Sequence, residues 1–161
     1  SLLCNVLFTP NPLVSVQPFR QCFLTWGKSM IMTFGRILLG ASGLIFMAYG
    51  TICLFDPTIP TGITGLTVTS GDAVAEVSGM YGGLQTGIGL FCLLAFFNNE
   101  FYRPGLMALG LTMGGLAMAR MIGVIATEQS VTIYSYAAFG FELVTAALAL
   151  LMFARTSHDS A

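Results

Sequence analysis

The chain has 161 residues, of which 55% are hydrophobic and only 8% charged, with a net charge of −1 and a mean hydropathy of +0.83. A soluble domain carries about 25% charged residues, so a soluble globule is excluded for want of a polar surface. The charge balance leaves no basic face for nucleic acid, and no nucleic-acid partner is expected.

The first 29 residues differ in character from the rest of the chain. They hold Pro10, Pro12 and Pro18, two basic residues and no acidic one. Leu2 to Phe8 is apolar but too short to span, and no charged segment precedes it, so a secretory signal fits poorly. Residues 1–29 are expected as an N-terminal extension lying along the membrane interface. A targeting remnant, upstream translated sequence and a partner-docking segment all fit it. Met30 or Met32 would make a natural start for a four-span protein.

Four apolar stretches come next, at 31–55, 73–97, 105–126 and 133–153. At about 1.5 Å rise per residue each crosses a hydrocarbon core of about 30 Å. Backbone groups in lipid must pair within their own segment, and the stretches show no period-2 alternation, so they are helices rather than barrel strands. Asp56-Pro57 and Pro60 end the first. Residues 58–72 read as the longest loop, with Ser70 or Asp72 as the cap of the second helix. Residues 98–104 read as a short turn, with Pro104 at or just before the start of the third helix. Short connections favour antiparallel neighbours. The expected fold is all-α, an integral-membrane up-down four-helix bundle over residues 30–155, with a polar tail at 156–161. Arg20, Lys28, Arg36, Arg103 and Arg155 all fall at one end, whereas loops 56–72 and 127–132 carry no Lys or Arg. The positive-inside rule then puts both termini on the cytoplasmic side or its topological equivalent.

Ionisable groups inside spans are costly, about 2.5–3.5 kcal/mol each at the helix centre on insertion scales, and mark functional or structural sites. Arg120 lies about 9 Å below the distal end of the third helix and Glu142 about 13 Å below the same end of the fourth, so an ion pair between neighbours is expected. Glu76, Tyr81 and Gln85 of the second helix are expected to join them in one polar cluster. Such a cluster reads either as a clamp between helices or as a pocket for a polar headgroup or quinone-like ring, or a proton path. Gly79, Gly83 and Gly87 form two overlapping GxxxG steps, and Gly110 and Gly114 form another. These are expected to pack helices within the bundle, with homo-oligomerisation as the other reading. Gly35 and Gly105 open a faint similarity between the first and third helices.

The cysteines, Cys4, Cys22, Cys53 and Cys92, make no CxxC pair, and His158 is the lone histidine, placed in the tail. No disulfide framework or metal site is expected. Glu76 with Tyr81 or Glu142 could do acid–base work, but no nucleophile–base set accompanies them, and the reading leans away from an enzyme.

The RILLG opening of the first helix, Phe55-Asp56-Pro57 at its end, Glu76 followed by Met80–Leu84 (MYGGL), the YRPGL turn at Tyr102–Leu106, Arg120 and Glu142 together resemble the domain of unknown function 4345 family of small four-span membrane proteins. The likeness covers 36–153. A looser likeness is to DoxX-like proteins. The resemblance implies the fold, implies no reaction, and maps the family's polar positions to Glu76, Tyr81, Arg120 and Glu142. The expected role is an accessory or scaffold subunit of a larger membrane complex, with respiratory or photosynthetic assemblies as candidate hosts. The alternative is a binder or carrier of a small lipophilic ligand through the distal polar cluster. No dedicated cofactor is expected, with bound lipid, quinone or pigment as candidate occupants. Expected partners are the bilayer and other membrane proteins.

Overall fold

The computed structural model describes residues 17–157, with backbone alone for 17–29. Six α-helices account for most of this length: α1 (Gln17–Phe55), α2 (Ile59–Thr64), α3 (Gly71–Val77), α4 (Leu84–Phe97), α5 (Asn99–Ala126) and α6 (Ile133–Ser157). A π-helical turn, Ser78–Gly83, joins α3 to α4 into one continuous rod. Four segments are long and apolar enough to cross a membrane: Met30–Phe55, Gly71–Phe97, Asn99–Ala126 and Ile133–Thr156.

Three boundaries differ from expectation. The first helix begins at Gln17, so residues 17–29 continue it by about 20 Å at helical rise. Pro18 sits in its first turn, where a missing N–H costs nothing. The loop over 58–72 contains α2, which starts around Pro60 and ends at Gly65, whose φ of 74° makes a left-handed cap. The expected turn at 98–104 shrinks to Asn98 alone. Its side chain accepts a hydrogen bond from the Glu100 amide at 2.9 Å and starts α5 there. Pro104 therefore lies inside α5. As the sixth residue of α5 it removes one intrahelical donor, that of the Glu100 carbonyl. The readings for Leu2–Phe8, Cys4 and His158 fall outside the described residues. At the second span, Ser70 is the cap, its hydroxyl accepting from the Ala73 amide at 3.1 Å, and Asp72 sits in the first turn, where the helix dipole favours it.

The helices form an antiparallel bundle in ring order α1, α4, α5, α6. The core is Leu39, Phe46, Cys92, Ala95, Tyr102, Leu106, Leu109, Met113, Ala146 and Ala149. In α5 the buried set Tyr102, Leu106, Leu109, Met113 and Ala117 follows the 3–4 spacing of one helix face. Most other large apolar side chains are exposed, among them Phe55, Phe97, Ile125 and Ile133. In lipid this outward surface has little to gain from burial, so close van der Waals fit and hydrogen bonds hold the helices together.

That fit rests on glycine, but not on all the expected ones. Helices α1 and α4 meet through Gly43 and Gly50 on one side and Gly82 and Gly89 on the other. A Cβ on Gly89 would fall 2.5 Å from the Met47 amide nitrogen and 2.9 Å from the Gly43 carbonyl oxygen; one on Gly50 would fall 2.6 Å from the Thr86 amide nitrogen and 2.9 Å from the Gly82 carbonyl oxygen. Both pairs are spaced by seven, the repeat of an antiparallel helix seam. By contrast, a Cβ on Gly79 or Gly87 would meet nothing within 4 Å, and on Gly83 only the Ser78 carbonyl of its own helix at 3.9 Å. The stripe Gly79, Gly83, Gly87 is therefore not a packing face of this bundle but an exposed one. The reason is that the π turn and α4 turn Gly82, Gly89, Cys92 and Ala95 inward, which places the 79–83–87 row on the far side. In α5 the expected step does pack: Gly110 lies against Leu150 of α6, and Gly114 faces Ala146.

Candidate functional site

Helices α5 and α6 run antiparallel, with Gly110 opposite Leu150 and Gly114 opposite Ala146. Continuing that register toward the distal end brings position 120 opposite 142. Arg120 Nε donates to both carboxylate oxygens of Glu142, at 3.2 and 3.0 Å, and Nη2 donates to Oε1 at 2.6 Å. The two-pronged geometry suits a planar guanidinium against a planar carboxylate. The partners are unequally sheltered: the Glu142 side chain is 7% exposed and that of Arg120 is 28%. Glu142 shares its buried face with Thr145, Ala146 and Ala149. The cation is thus the member that faces out of the bundle. Arg120 Nη1 donates to none of the described residues.

Two tyrosines lie near the pair. Tyr81, on the π turn, and Tyr134, at the start of α6, lie within electrostatic reach of Arg120. Tyr49 of α1 is near both tyrosines and sits beside Cys53, one helical turn on. Among the described residues, neither Tyr81 nor Tyr134 has a hydrogen-bond partner; Tyr81 is half-buried and Tyr134 exposed. Gln85 follows Tyr81 by one turn and is half-buried.

Of the five residues expected in this cluster, Arg120 and Glu142 touch, Tyr81 lies near them, and Gln85 is on the same helix one turn deeper. Glu76 does not join: it is exposed and carries no hydrogen bond to any described residue. The Leu84 amide bonds back to Gly79, an i→i+5 link. Such a turn holds more residues than an α turn, so a face counted at steps of three and four from Glu76 does not carry through to Gln85. Sequence reading did not place Tyr49 and Cys53 here. Their depth below the distal end of α1, about 9 and 3 Å at helical rise, was the available signal.

The opposite, basic end holds a separate set of contacts. Arg36 donates to the Phe96 carbonyl at 3.4 Å and to Asn99 Oδ1, and its guanidinium lies 6.0 Å from the Tyr102 ring centre. Arg103 lies 5.0 Å above the Phe153 ring. These tie α1 to the Asn98 corner and α5 to α6. At the distal surface, Asp56 Oδ1 accepts from the Thr58 hydroxyl at 2.6 Å and the Thr58 amide at 2.9 Å. These two hydrogen bonds hold its carboxyl below the usual aspartate range. Two apolar grooves run along the bundle: one of about 360 Å³ between α4 and α5, lined by Gly83, Gly87, Phe91, Ala108 and Thr112, and one of about 550 Å³ between α5 and α6, lined by Met118, Ile122, Phe139 and Leu143. Neither includes a charged side chain.

Comparison with known proteins adds one relationship. No curated protein and no solved structure matches the chain. A family model described as a domain of unknown function, DUF4345, matches residues 34–153. It spans all four membrane segments apart from their outermost residues and takes in Glu76, Tyr81, Arg120 and Glu142; it shows no DoxX-like relationship. The chain belongs to the DUF4345 family of small proteins with four apolar helices.

Proposed function

We propose that this protein binds the polar head of a small lipophilic molecule in the distal half of its bundle, at Arg120, Glu142, Tyr81 and Tyr134, with Gln85 and Tyr49 beside them. The observation that carries the reading is the asymmetry of the ion pair. A clamp between helices needs only mutual burial, whereas here the carboxylate is enclosed and the guanidinium is left 28% exposed with Nη1 unengaged. An intramembrane cation with spare donors and two tyrosines within electrostatic reach is a functional-site candidate by default. The ion pair also fixes the register of α5 on α6, so the site and the fold share one interaction.

The test is purification from native membranes in a mild detergent, followed by organic extraction. The expected result is one small molecule at constant ratio to protein, reduced in the Tyr81→Phe and Tyr134→Phe variants. An extract holding only bulk lipid in bulk proportions would overturn the reading. The same purification addresses a second role, an accessory subunit, which the unpacked Gly79–Gly83–Gly87 face favours: small residues on a lipid-facing helix allow close approach of a neighbouring helix. A protein partner at fixed stoichiometry, lost when Gly83 becomes Leu, would support it. In keeping with the charge bias, the basic end is proposed to face the cytoplasm. Labelling of a cysteine placed at Gln129 by an impermeant reagent on intact cells tests that orientation.

A further inference from the structure

The binding reading leaves open what kind of head the site takes, and the chemistry of its walls narrows this. Arg120 and Glu142 sum to zero charge, and Tyr81 and Tyr134 lie within electrostatic reach of the guanidinium. Glu76, which would have added a second negative charge, is exposed and apart. The carboxylate oxygens of Glu142 already accept three hydrogen bonds from Arg120. What the guanidinium still offers is donors, both protons of Arg120 Nη1, with the Tyr81 and Tyr134 hydroxyls able to donate as well. An anionic head would compete with Glu142 for the same guanidinium and bring an uncompensated charge into a part-buried, low-dielectric site. An ammonium head would find Glu142 enclosed and its charge already matched. A neutral head with several acceptor oxygens meets neither penalty.

Resting on the binding reading, we propose that the ligand is a neutral lipophile whose head carries carbonyl oxygens, of the quinone or ester class. The Arg120 Nη1 protons and the two phenols donate to those oxygens, while the apolar part lies among the helices. The head is recognised by hydrogen bonding alone, with no net charge transferred to the site.

The experiment places the whole chain in nanodiscs of zwitterionic lipid and follows thermal unfolding by circular dichroism against three probes of equal chain length. These are decylbenzoquinone as the neutral acceptor, decyl phosphate as the anion and decylbenzene as the apolar control. Decylbenzoquinone is expected to raise the midpoint saturably, with the other two showing no saturable effect at the same concentration. Tyr81→Phe and Tyr134→Phe keep the rings and strand no charge. Each is expected to weaken decylbenzoquinone binding by about 2- to 12-fold, the range one neutral hydrogen bond supplies, with the unliganded midpoint held near wild type. Saturable binding of decyl phosphate as tight as or tighter than decylbenzoquinone would overturn the neutral class and leave the binding reading standing. So would a native extract containing a stoichiometric acidic or phosphorylated lipid. No saturable probe binding together with an empty native extract would bring down the binding reading itself.

Discussion

Gly87 and Gly89 lie two residues apart in one helix, and the structure assigns them opposite environments. A Cβ at 89 falls 2.5 Å from the Met47 amide nitrogen and 3.0 Å from its Cα, both backbone atoms of α1, whereas a Cβ at 87 meets nothing within 4 Å. Ordinary carbon contacts are about 3.5–4.0 Å, so Gly89→Ala forces α1 and α4 apart by roughly 1 Å, which in turn loosens the Gly50–Thr86 contact. Overpacking of this kind costs about 1–3 kcal/mol. Both alanines gain the same helix propensity, about 0.8–1.0 kcal/mol over glycine. The difference between the two variants therefore isolates the steric cost. Gly87→Ala is expected to match or exceed wild-type stability, and Gly89→Ala to lie about 1–3 kcal/mol below Gly87→Ala. Reversible unfolding in mixed micelles titrated with SDS, read by circular dichroism, measures the difference. Gly83→Ala, whose nearest neighbour is 3.9 Å away, serves as a second open-face control. A difference within about 0.5 kcal/mol, or one of opposite sign, would refute the assigned rotation of α4.

Three further outcomes are expected. In the same assay Arg120→Ala and Glu142→Ala each destabilise, by up to about 3–5 kcal/mol for a broken buried pair; Arg120→Ala is the worse because it strands the more enclosed partner, and the double variant is milder than Arg120→Ala alone. Additive losses would argue against the pair. The Tyr102 hydroxyl is buried with no partner among the described residues, so Tyr102→Phe should remain within about 0.5 kcal/mol of wild type or gain slightly; a loss above about 1 kcal/mol would mean that the hydroxyl has a partner. For Asp56, titration by NMR should give a value below the ordinary 3.8 because of the Thr58 hydrogen bonds. A lowered folded value means the turn's contribution is present above the unfolded value and lost as pH falls through the folded one. Thr58→Ala should return Asp56 toward 3.8, and no change there would separate the shift from the Thr58 contacts.

The spans were legible because the bilayer imposes length and continuity on them: the ends at Phe55, Phe97, Ala126 and Ile133 follow from where apolar residues give way to Asp56, Asn98, Thr127 and Thr132. The depth match of Arg120 and Glu142 was also legible, since helical rise and antiparallel neighbours suffice to compute it. Helix rotation was not. The row Gly79–Gly83–Gly87 satisfies the small-residue pattern as well as Gly82–Gly89 does, and a π turn shifts the phase between the two halves of the segment. Only the partner pair Gly43–Gly50, with the same spacing of seven on α1, singles out the inward row, and that signal is pairwise rather than local. Pro104 misled for a related reason. Proline is commonest at a helix start, but Asn98 supplies a better cap six residues earlier, and the helix runs through the proline.

The corner at Asn98 has a mechanical consequence. Two membrane-crossing rods, Gly71–Phe97 and α5, are joined there through one non-helical residue, and Arg36 buttresses the junction by donating to Phe96 and Asn99 on either side of it. Such a joint holds the rods at fixed separation at that end, so any spreading between them is fan-like, with its pivot at Asn98 and its widest excursion at the far rim. The far rim is where Tyr81 and Arg120 stand and where the segments 56–70 and 127–132 connect the other helices. The arginine-rich end is thus the end at which α5 is tied to its predecessor by a single residue, whereas at the end where Tyr81 and Arg120 stand the helices are joined by the longer segments.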